Sequence, residues 1–537
     1  MTLNDAVVWH PRAGIELLAR PAFIQSWREL AVACPWSTVF QSPDFIVTWY
    51  ETYGDRFDAL LVTMTDIHGT LCGLLTLAID RKSGALHYAG CDQAEYQVWL
   101  ATGDAADDFP LSALNALKRA FPRHALMLQY LPPNVPMQWL DRSAWFKRRC
   151  VLRPSSRPLV GMNEEEVARA LKSRTKQRGL KGLRELGEVS FGMVAREDFA
   201  RVFAQAWPLY EFRQIGKFNF RRFLVDPSRE RFYRLLAERT GVLQMSVLRV
   251  DDQVVAWLTG VRSDGYFHPT AFAHSPFHAH FSPGGIHMLL LAQSLMREHG
   301  CLFDLTPGGD AFKDMLASEH EPTWTMVFYP GPLSVLRFKP ARLLARKAWR
   351  KCWRMSGERV LAFTWRERPS TIQSAPRFEV RRIDLEEADR ALPSVRRNQI
   401  RDLLKYQPAA GEPSMQGFFV QIQQDIDTGA DLFTCVENER LIACASIIRT
   451  SGDVNERPAF DAPAGTAKLV RLYIRTGENR VRLLRACLIG WTQNAPDDSS
   501  SMSSLIAIPV EDEQSARADV RKSRVFNAAR RNGASAT

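Results

Sequence analysis

"FSPGGIHMLLLAQSL", Phe281–Leu295, sets Pro-Gly-Gly directly ahead of an apolar helix. Glycine in a turn costs backbone entropy. Two readings account for it: a tight turn from strand to helix, or a backbone that a ligand must approach where the first helical N–H groups point outward. The flanks define the local fold. Leu243–Val250 and Gln253–Val261 read as strands joined at Asp251-Asp252, and Tyr266–Ala273 as a third strand after Ser263-Asp264-Gly265. The helix runs from Gly285 to His299 and stops before Gly300. Cys301–Leu305, "CLFDL", follows as a short buried strand.

The same order of meander, helix and strand occurs twice more. In the first third, Asp58–Thr65, Thr70–Ile79, Ala85–Tyr88 and Tyr96–Ala101 are strands, followed by a helix over Leu111–Phe121 and a strand over Ala125–Tyr130. In the last third, Asp431–Val436, Arg440–Arg449 and Lys468–Ile474 precede a helix over Arg480–Gln493 and a strand over Ser504–Ile508. The pattern predicts an α/β (α+β) fold of three related units with mixed, mostly antiparallel sheets flanked by helices. The expected division is 1–160, 161–330, a basic helical linker over 331–372, and 373–537 with a frayed basic tail. Residues 1–330 are expected to form one compact body, and the first proteolytic cut to fall between Phe363 and Pro376.

The chain has 537 residues, 46% apolar and 24% charged, which suits several globular domains rather than a disordered chain. Its net charge of +11 favours an anionic partner: a phosphorylated cofactor, nucleic acid or an acidic membrane surface. The nine cysteines form no Cys-x-x-Cys pair, so they read as free thiols in a reducing compartment. Met1–Arg12 lacks an apolar signal core, and no apolar run approaches the ~20 residues of a membrane span. A cytoplasmic protein is expected.

Charge is concentrated in two segments. A helix over Glu164–Leu186 carries Lys172, Arg174, Lys176, Arg178, Lys181 and Arg184. A second, over Arg337–Arg368, sets Arg346, Lys347, Arg350, Lys351 and Arg354 opposite a face with Trp349 and Trp353. That amphipathic pattern suits either an anionic membrane or synthase contact through 337–368, or packing on the protein's own body.

A strand ending in glycines and opening a helix offers a pyrophosphate both free N–H groups and the positive helix end. Here the residues are Ser282, Pro283, Gly284, Gly285, Ile286 and His287. With the strand bearing Asp304, then Gly308, Gly309 and Lys313, the stretch resembles the acyl-CoA-binding half of GNAT-type acyltransferases. It is most similar to the cellulose and exopolysaccharide branch (CelD-type, FemAB-like). "FQSPDFIVTWY" near the N-terminus and the basic helix ahead of the second unit strengthen the likeness, which covers roughly residues 20–330. The resemblance implies tandem GNAT-like units and acetyl-CoA or another acyl-CoA as co-substrate. It further implies transfer to the nitrogen or oxygen of an amino sugar or polysaccharide precursor. Phe312 stands where many members have Tyr before Lys. The first unit offers the acidic "GDAADDFP" where a phosphate loop would lie, so it reads as a pseudo-repeat. In the third, "RTGENRV", Arg475–Val481, reads as a degenerate loop or an ordinary helix start.

Acyl transfer needs a base or water relay, donors for the oxyanion and a proton for the leaving thiolate. His268, His274, His278, His280 and His287 cluster around the turn, and His280 is nearest ahead of it. Any His titrates near neutral pH, so His280 is the candidate base, with Asp304 and Lys313 as further catalytic candidates. Asp304 ends a strand where α/β sheets commonly face a ligand crevice, or else it caps the following turn. Glu211, Arg213 and Asp310 are the acceptor-side candidates; a surface ion pair serves equally for the first two. His274-x3-His278-x-His280 matches no zinc pattern, so no metal is expected. Nucleic-acid binding would rest on charge alone and is not expected. The rival function is an inactive GNAT-like scaffold that binds a partner of a polysaccharide synthase.

Overall fold

The computed structural model describes residues 3–161, 164–263, 265–299, 302–308, 317–331, 378–384, 393–410, 412–449, 467–493 and 503–509. Asp310, Lys313, the Arg337–Arg368 segment and the expected cleavage region lie outside the described residues.

The fold is mixed α/β, as the pattern of strands and helices predicts, and its strands form three sheets. The first holds β1 (Val7–Trp9), β2 (Phe57–Thr65), β3 (Leu71–Asp80) and β4 (Leu86–Tyr88) in that order, with β5 (Leu100–Ala101) also on β3. The second involves β6 (Leu126–Leu131), β7 (Cys150–Val160), β8 (Val189–Met193), β9 (Leu243–Val250), β10 (Gln253–Ser263), β11 (Tyr266–His274), β12 (Leu302–Asp304) and β13 (Glu319–Phe328). Its order is β6-β13-β7-β12-β11-β10-β9-β8. The third holds β14 (Phe378–Asp384), β15 (Val395–Arg397), β16 (Asp431–Glu437), β17 (Arg440–Arg449), β18 (Ala467–Ile474) and β19 (Ser503–Pro509), ordered β14-β19-β18-β17-β16-β15. Local chemistry explains the hairpins. Asn438 and Glu439 both take left-handed φ in the two-residue turn from β16 to β17, which matches strand twist.

The helices that matter below are α1 (Pro43–Tyr53), α2 (Asp108–Ala120), α3 (Glu164–Leu171), α4 (Arg174–Leu186), α5 (Phe199–Phe218), α6 (Pro283–His299), α7 (Met415–Asp427) and α8 (Arg480–Gln493). Parallel neighbours require a crossover, and two are seen. β11, α6 and β12 form one, with Tyr266 opposite Leu302 and Phe267 opposite Phe303. β18, α8 and β19 form the other, with Ala467 opposite Ile506. In the first third the expected closing strand exists as β6 after α2, but it pairs antiparallel with β13 of the second sheet. There Gln129 keeps a link to its own third: the Gln97 N–H donates to the Gln129 carbonyl at 3.0 Å, and the Gln97 Oε1 accepts from the Gln129 N–H at 3.0 Å.

The single helix expected over Glu164–Leu186 is two. Ser173 is extended at φ −58°, ψ 144°, and starts α4 afresh, a position serine favours. α3 and α6 bury Val167, Leu291 and Leu295 against Leu258, Phe267 and Phe303 of the second sheet. α4 and α6 bury Leu183 and Ile286 against Leu248 and Val255. Each such aliphatic burial stabilises by about 1.5–3 kcal/mol, which fixes the start of α6.

The described residues fall into two compact units. One takes Met1–Ala204, Val225–Phe272 and Phe281–Thr364, with the first two sheets; the other takes Gln205–Leu224, Ala273–His280 and Trp365–Thr537, with the third. In the second unit, Phe212 and Ile215 of α5 share a core with Ile400, Leu403, Phe418, Phe419 and Leu432.

Candidate functional site

The glycine turn forms the start of α6. Ser282 adopts φ 53°, a left-handed conformation costing a non-glycine residue roughly 1–2 kcal/mol. Pro283 opens the helix and has no N–H. The Ile286 N–H donates to the Ser282 carbonyl at 3.1 Å, so it is already engaged. Gly284 and Gly285 remain: helix geometry gives their N–H groups no intrahelical acceptor, and none is found among the described residues. His287 points the other way. Its ring is fully buried, with Nε2 3.1 Å from the Ser246 hydroxyl and Phe191 and Phe272 alongside. Burial pushes its pKa down to about 4, so this imidazole is a neutral core group. The expected six-residue cradle thus narrows to the backbone of Gly284 and Gly285.

α4 supplies what the turn lacks. Gly179 and Gly182 let it approach so closely that a Cβ at the first would overlap the Phe281 carbonyl, and at the second the Phe281 ring. Five of its flanking cations, Lys172, Arg174, Arg178, Lys181 and Arg184, are exposed; Lys176 is half-buried. The Lys176 Nζ occupies the space a Cβ on Gly285 would need. Burial lowers its pKa, and no carboxylate pairs with it among the described residues. An ammonium beside the positive end of a helix is repelled unless an anion joins them. A phosphate there would accept from two backbone N–H groups and from the ammonium.

Next to this turn, β11 continues to His274 but pairs with β12 only over Tyr266–Phe267. Beyond Phe267 the pairing with β12 stops. Such an edge can hydrogen-bond an extended amide-bearing ligand.

Asp304 ends β12, as expected, yet it does not face a crevice. It is 0% exposed. Its oxygens accept from the Tyr96 hydroxyl at 3.0 and 2.7 Å, from Arg157 Nε at 2.8 Å and from the Thr306 N–H at 2.9 Å. His268 Nδ1 lies 3.0 Å from the same carboxylate. Burial acts to raise the Asp304 pKa, but His268, then Arg157 and Tyr96, outweigh it and hold the carboxyl below its ordinary range. Arg157 continues to Glu321 at 3.2 Å and lies over the Tyr266 ring at 4.4 Å. Asp304 is therefore a positioning residue. It orients Tyr96, Arg157 and His268.

The N-terminal "FQSP" stretch serves this network. The Thr38 hydroxyl accepts from the Phe40 N–H, and Ser42 caps α1 by accepting from the Phe45 N–H at 3.2 Å. Buried Gln41 donates to the Tyr96 carbonyl at 2.7 Å and to the Tyr88 hydroxyl at 3.2 Å. Phe40 packs edge-on against His268 at 5.5 Å.

The other sequence candidates are dispersed. His280 is exposed in a short 3-10 turn and is assigned to the second unit, whereas Asp304 is in the first. Glu211 is not exposed. It is fully buried and accepts the N–H groups of Phe223 and Leu224, at 3.4 and 3.1 Å, which makes it a cap for the next helical turn. Arg213, half-buried on α5, borders a cavity of about 370 Å³ with Lys217, His274 and Gln423. In "RTGENRV", Gly477 takes φ 92°, and the Asn479 side chain accepts the Arg482 N–H at 3.0 Å. The start of α8 is thus capped by the chain's own amide, with Thr476 held by Glu412 at 3.1 Å.

Comparison with known proteins bears on the first of these sites. Residues 172–314 match the family model of an acetyltransferase (GNAT) domain. The chain carries a GNAT-type acyltransferase domain. The match spans α4, the glycine turn, α6 and β12. A comparison with curated proteins finds no match. Solved structures with some likeness include FemX, at 11% identity and TM-score 0.38 over 56% of this chain and 95% of that one. L-PGS from Bacillus licheniformis shows 12% and 0.36 over 60% and 96%. A tandem GNAT protein from the clavulanic acid pathway shows 12% and 0.37 over 61% and 99%. Likenesses this weak carry no argument about substrate.

No helix among the described residues is long and apolar enough to cross a membrane. Arg157 and Tyr96 are site residues that sequence reasoning did not name, and Lys176 and His268 were named only within groups of like residues. For Lys176 the only local signal was its place beside Gly179 and Gly182.

Proposed function

We propose that the chain is an acyl-CoA-dependent N- or O-acyltransferase whose CoA pyrophosphate binds the Gly284 and Gly285 N–H groups and the Lys176 ammonium. The observation that carries this reading is the half-buried Lys176 Nζ lodged against Gly285 without an anionic partner among the described residues. The pantetheine amides would then run along the open edge of β11, whose N–H groups also supply oxyanion donors. The acceptor's amine or hydroxyl attacks the thioester carbonyl. A C–N or C–O bond forms, the C–S bond breaks, and the acceptor's proton leaves to a base or water. His280 and Lys313 are the candidates for proton transfer, and Arg213 and Asp310 for the acceptor side. An amino sugar or polysaccharide precursor is the proposed acceptor, on the strength of the sequence resemblance alone. A cytoplasmic location, with peripheral membrane or synthase contact through 337–368, belongs to the same proposal.

The test is titration calorimetry with CoA and acetyl-CoA. Wild-type protein should bind both. Gly285→Asp should bind neither while remaining folded, because its carboxylate takes the phosphate position beside Lys176. CoA binding of wild-type strength by folded Gly285→Asp would place the site elsewhere.

One observation favours a non-catalytic role for the third sheet: Asn479 already caps the start of α8, where a phosphate would need free N–H groups. We assign that part a supporting role.

A further inference from the structure

We infer that the end of α5 is a contact surface for an anionic lipid membrane, with Phe218 and Phe220 entering the interface while Lys217 and Arg221 meet lipid phosphates. The surface lies within the second unit. It uses neither the glycine turn nor residues 337–368, so it does not depend on the acyl-transfer reading.

The turn after α5 is held in shape. Asn219 ends the helix in the left-handed conformation, φ 55°, which asparagine tolerates better than most residues. Its N–H donates to the Ile215 carbonyl at 3.0 Å, and the Phe220 N–H donates to the Gln214 carbonyl at 3.2 Å. Phe223 is buried and packs against Trp207 and Tyr210, with ring centres 5.9 and 5.8 Å away. Glu211 accepts the N–H groups of Phe223 and Leu224. One phenylalanine thus anchors the turn from inside. The other two point out: Phe218 is 44% exposed and Phe220 58%, and Leu224 is exposed as well. A single exposed apolar side chain is ordinary. Here three fall between Phe218 and Leu224, on a turn whose backbone is fixed.

Charge complementarity names the partner. From Phe212 to Leu224 the chain carries Arg213, Lys217, Arg221 and Arg222 and no carboxylate. The Lys217 ammonium lies 4.9 Å from the centre of the Phe218 ring, so a cation and an outward aromatic stand together. That pair suits a membrane interface, where aromatic rings sit at headgroup level and long basic side chains reach phosphates. Arg213 and Lys217 also line the cavity of about 370 Å³, together with Phe419 and the exposed Val420. No Asp or Glu is among the described residues that line it, which suits an anionic headgroup. A single-stranded nucleic acid would also use the rings and the cations. It gives no role to the aliphatic Leu224 and Val420, which have no face to stack on a base; a lipid surface does.

The test is co-sedimentation of the full chain with vesicles of phosphatidylcholine alone and of phosphatidylcholine with phosphatidylglycerol, at low and high salt. Saturable binding to the anionic vesicles at low salt is expected, weakening with salt. Phe218→Ser combined with Phe220→Ser should weaken it by at least roughly 10-fold, since two half-exposed rings no longer enter the interface. Lys217→Gln combined with Arg221→Gln should weaken it by about 10-fold or more at low salt. These side chains are exposed, so both variants should keep the wild-type thermal transition. Hydrogen exchange of 217–224 should slow when anionic vesicles are added, which separates this surface from 337–368. Absence of binding by wild type at low salt overturns the proposal. So does equal binding by wild type and folded Phe218→Ser/Phe220→Ser, or vesicle binding that leaves exchange of 217–224 unchanged. Protection of 217–224 by a single-stranded oligonucleotide and not by vesicles would assign the surface to nucleic acid instead.

Discussion

Lys176 and Gly285 share one small volume, and that sharing makes Gly285 sensitive to charge more than to size. A Cβ there meets only the end of a flexible lysine, which can move. Gly285→Ala should therefore fold normally and lose part of its CoA affinity. Lys176→Gln should weaken CoA binding by roughly 10-fold, the scale of one charge-assisted hydrogen bond. Asp304 answers to different physics. Asp304→Asn leaves buried Arg157 with only the more exposed Glu321 as counter-charge and should destabilise by up to roughly 3–5 kcal/mol in urea unfolding. Because the folded Asp304 pKa is depressed, its contribution is fully present above the unfolded value, about 3.9. It is lost as pH falls from there through the lower folded value, and Asp304→Asn should flatten that limb. His287 acts at milder pH. Its folded pKa of about 4 lies below the ordinary 6.5, so the unfolded chain binds more protons between them. Stability should fall by up to roughly 3 kcal/mol as pH drops from 6.5 to 4, then level off. Denaturation of His287→Phe against pH should lack that slope; an unchanged slope would mean the imidazole is not buried neutral.

At the scale of elements, α4 and α6 meet through glycine. Gly179→Ala sets a methyl group against the Phe281 carbonyl and should push the helices apart, at a cost of about 1–3 kcal/mol. Thermal unfolding should register that loss, and CoA affinity should fall with it, since Lys176 rides on α4. Asn479→Ala removes the cap of α8 and should cost about 1 kcal/mol without altering CoA affinity. The strands around β9–β12, the helix α6 and the glycine turn were legible because each is encoded locally, by apolar runs and turn residues. What each strand pairs with was not. β6 reads as a strand from its own residues, but its partner β13 lies almost two hundred residues further on. The Asp304 network was illegible for the same reason: Arg157 is 147 residues away and Tyr96 is 208. Sequence placed Asp304 at a strand end and offered either a crevice-facing carboxylate or a cap of the following turn; the buried carboxylate accepting the Thr306 N–H fits the second. α4 read as a basic helix with no cation preferred over another, and only the packing of Gly179 and Gly182 shows which one turns inward.

In the whole molecule, the second unit is built from three chain segments, including the latter part of α5. Phe212 and Ile215 share their core with Ile400, Leu403 and Phe419, all beyond residue 331. A chain ending at Gly331 should therefore expose that apolar face and aggregate, as size-exclusion chromatography would register; a monodisperse, stable product would show that the face needs no cover. The net charge of +11 acquires a specific use in the same frame, since one cation of a basic helix is set at the glycine start of α6. The central claim is that α4 and the glycine turn together hold a phosphorylated acyl donor. Calorimetric titration of CoA into wild type, Lys176→Gln and Gly285→Asp, each checked for a cooperative thermal transition, tests it most directly. The account predicts binding by wild type, roughly tenfold weaker binding by Lys176→Gln and none by Gly285→Asp. Equal CoA affinity in all three folded proteins would contradict it.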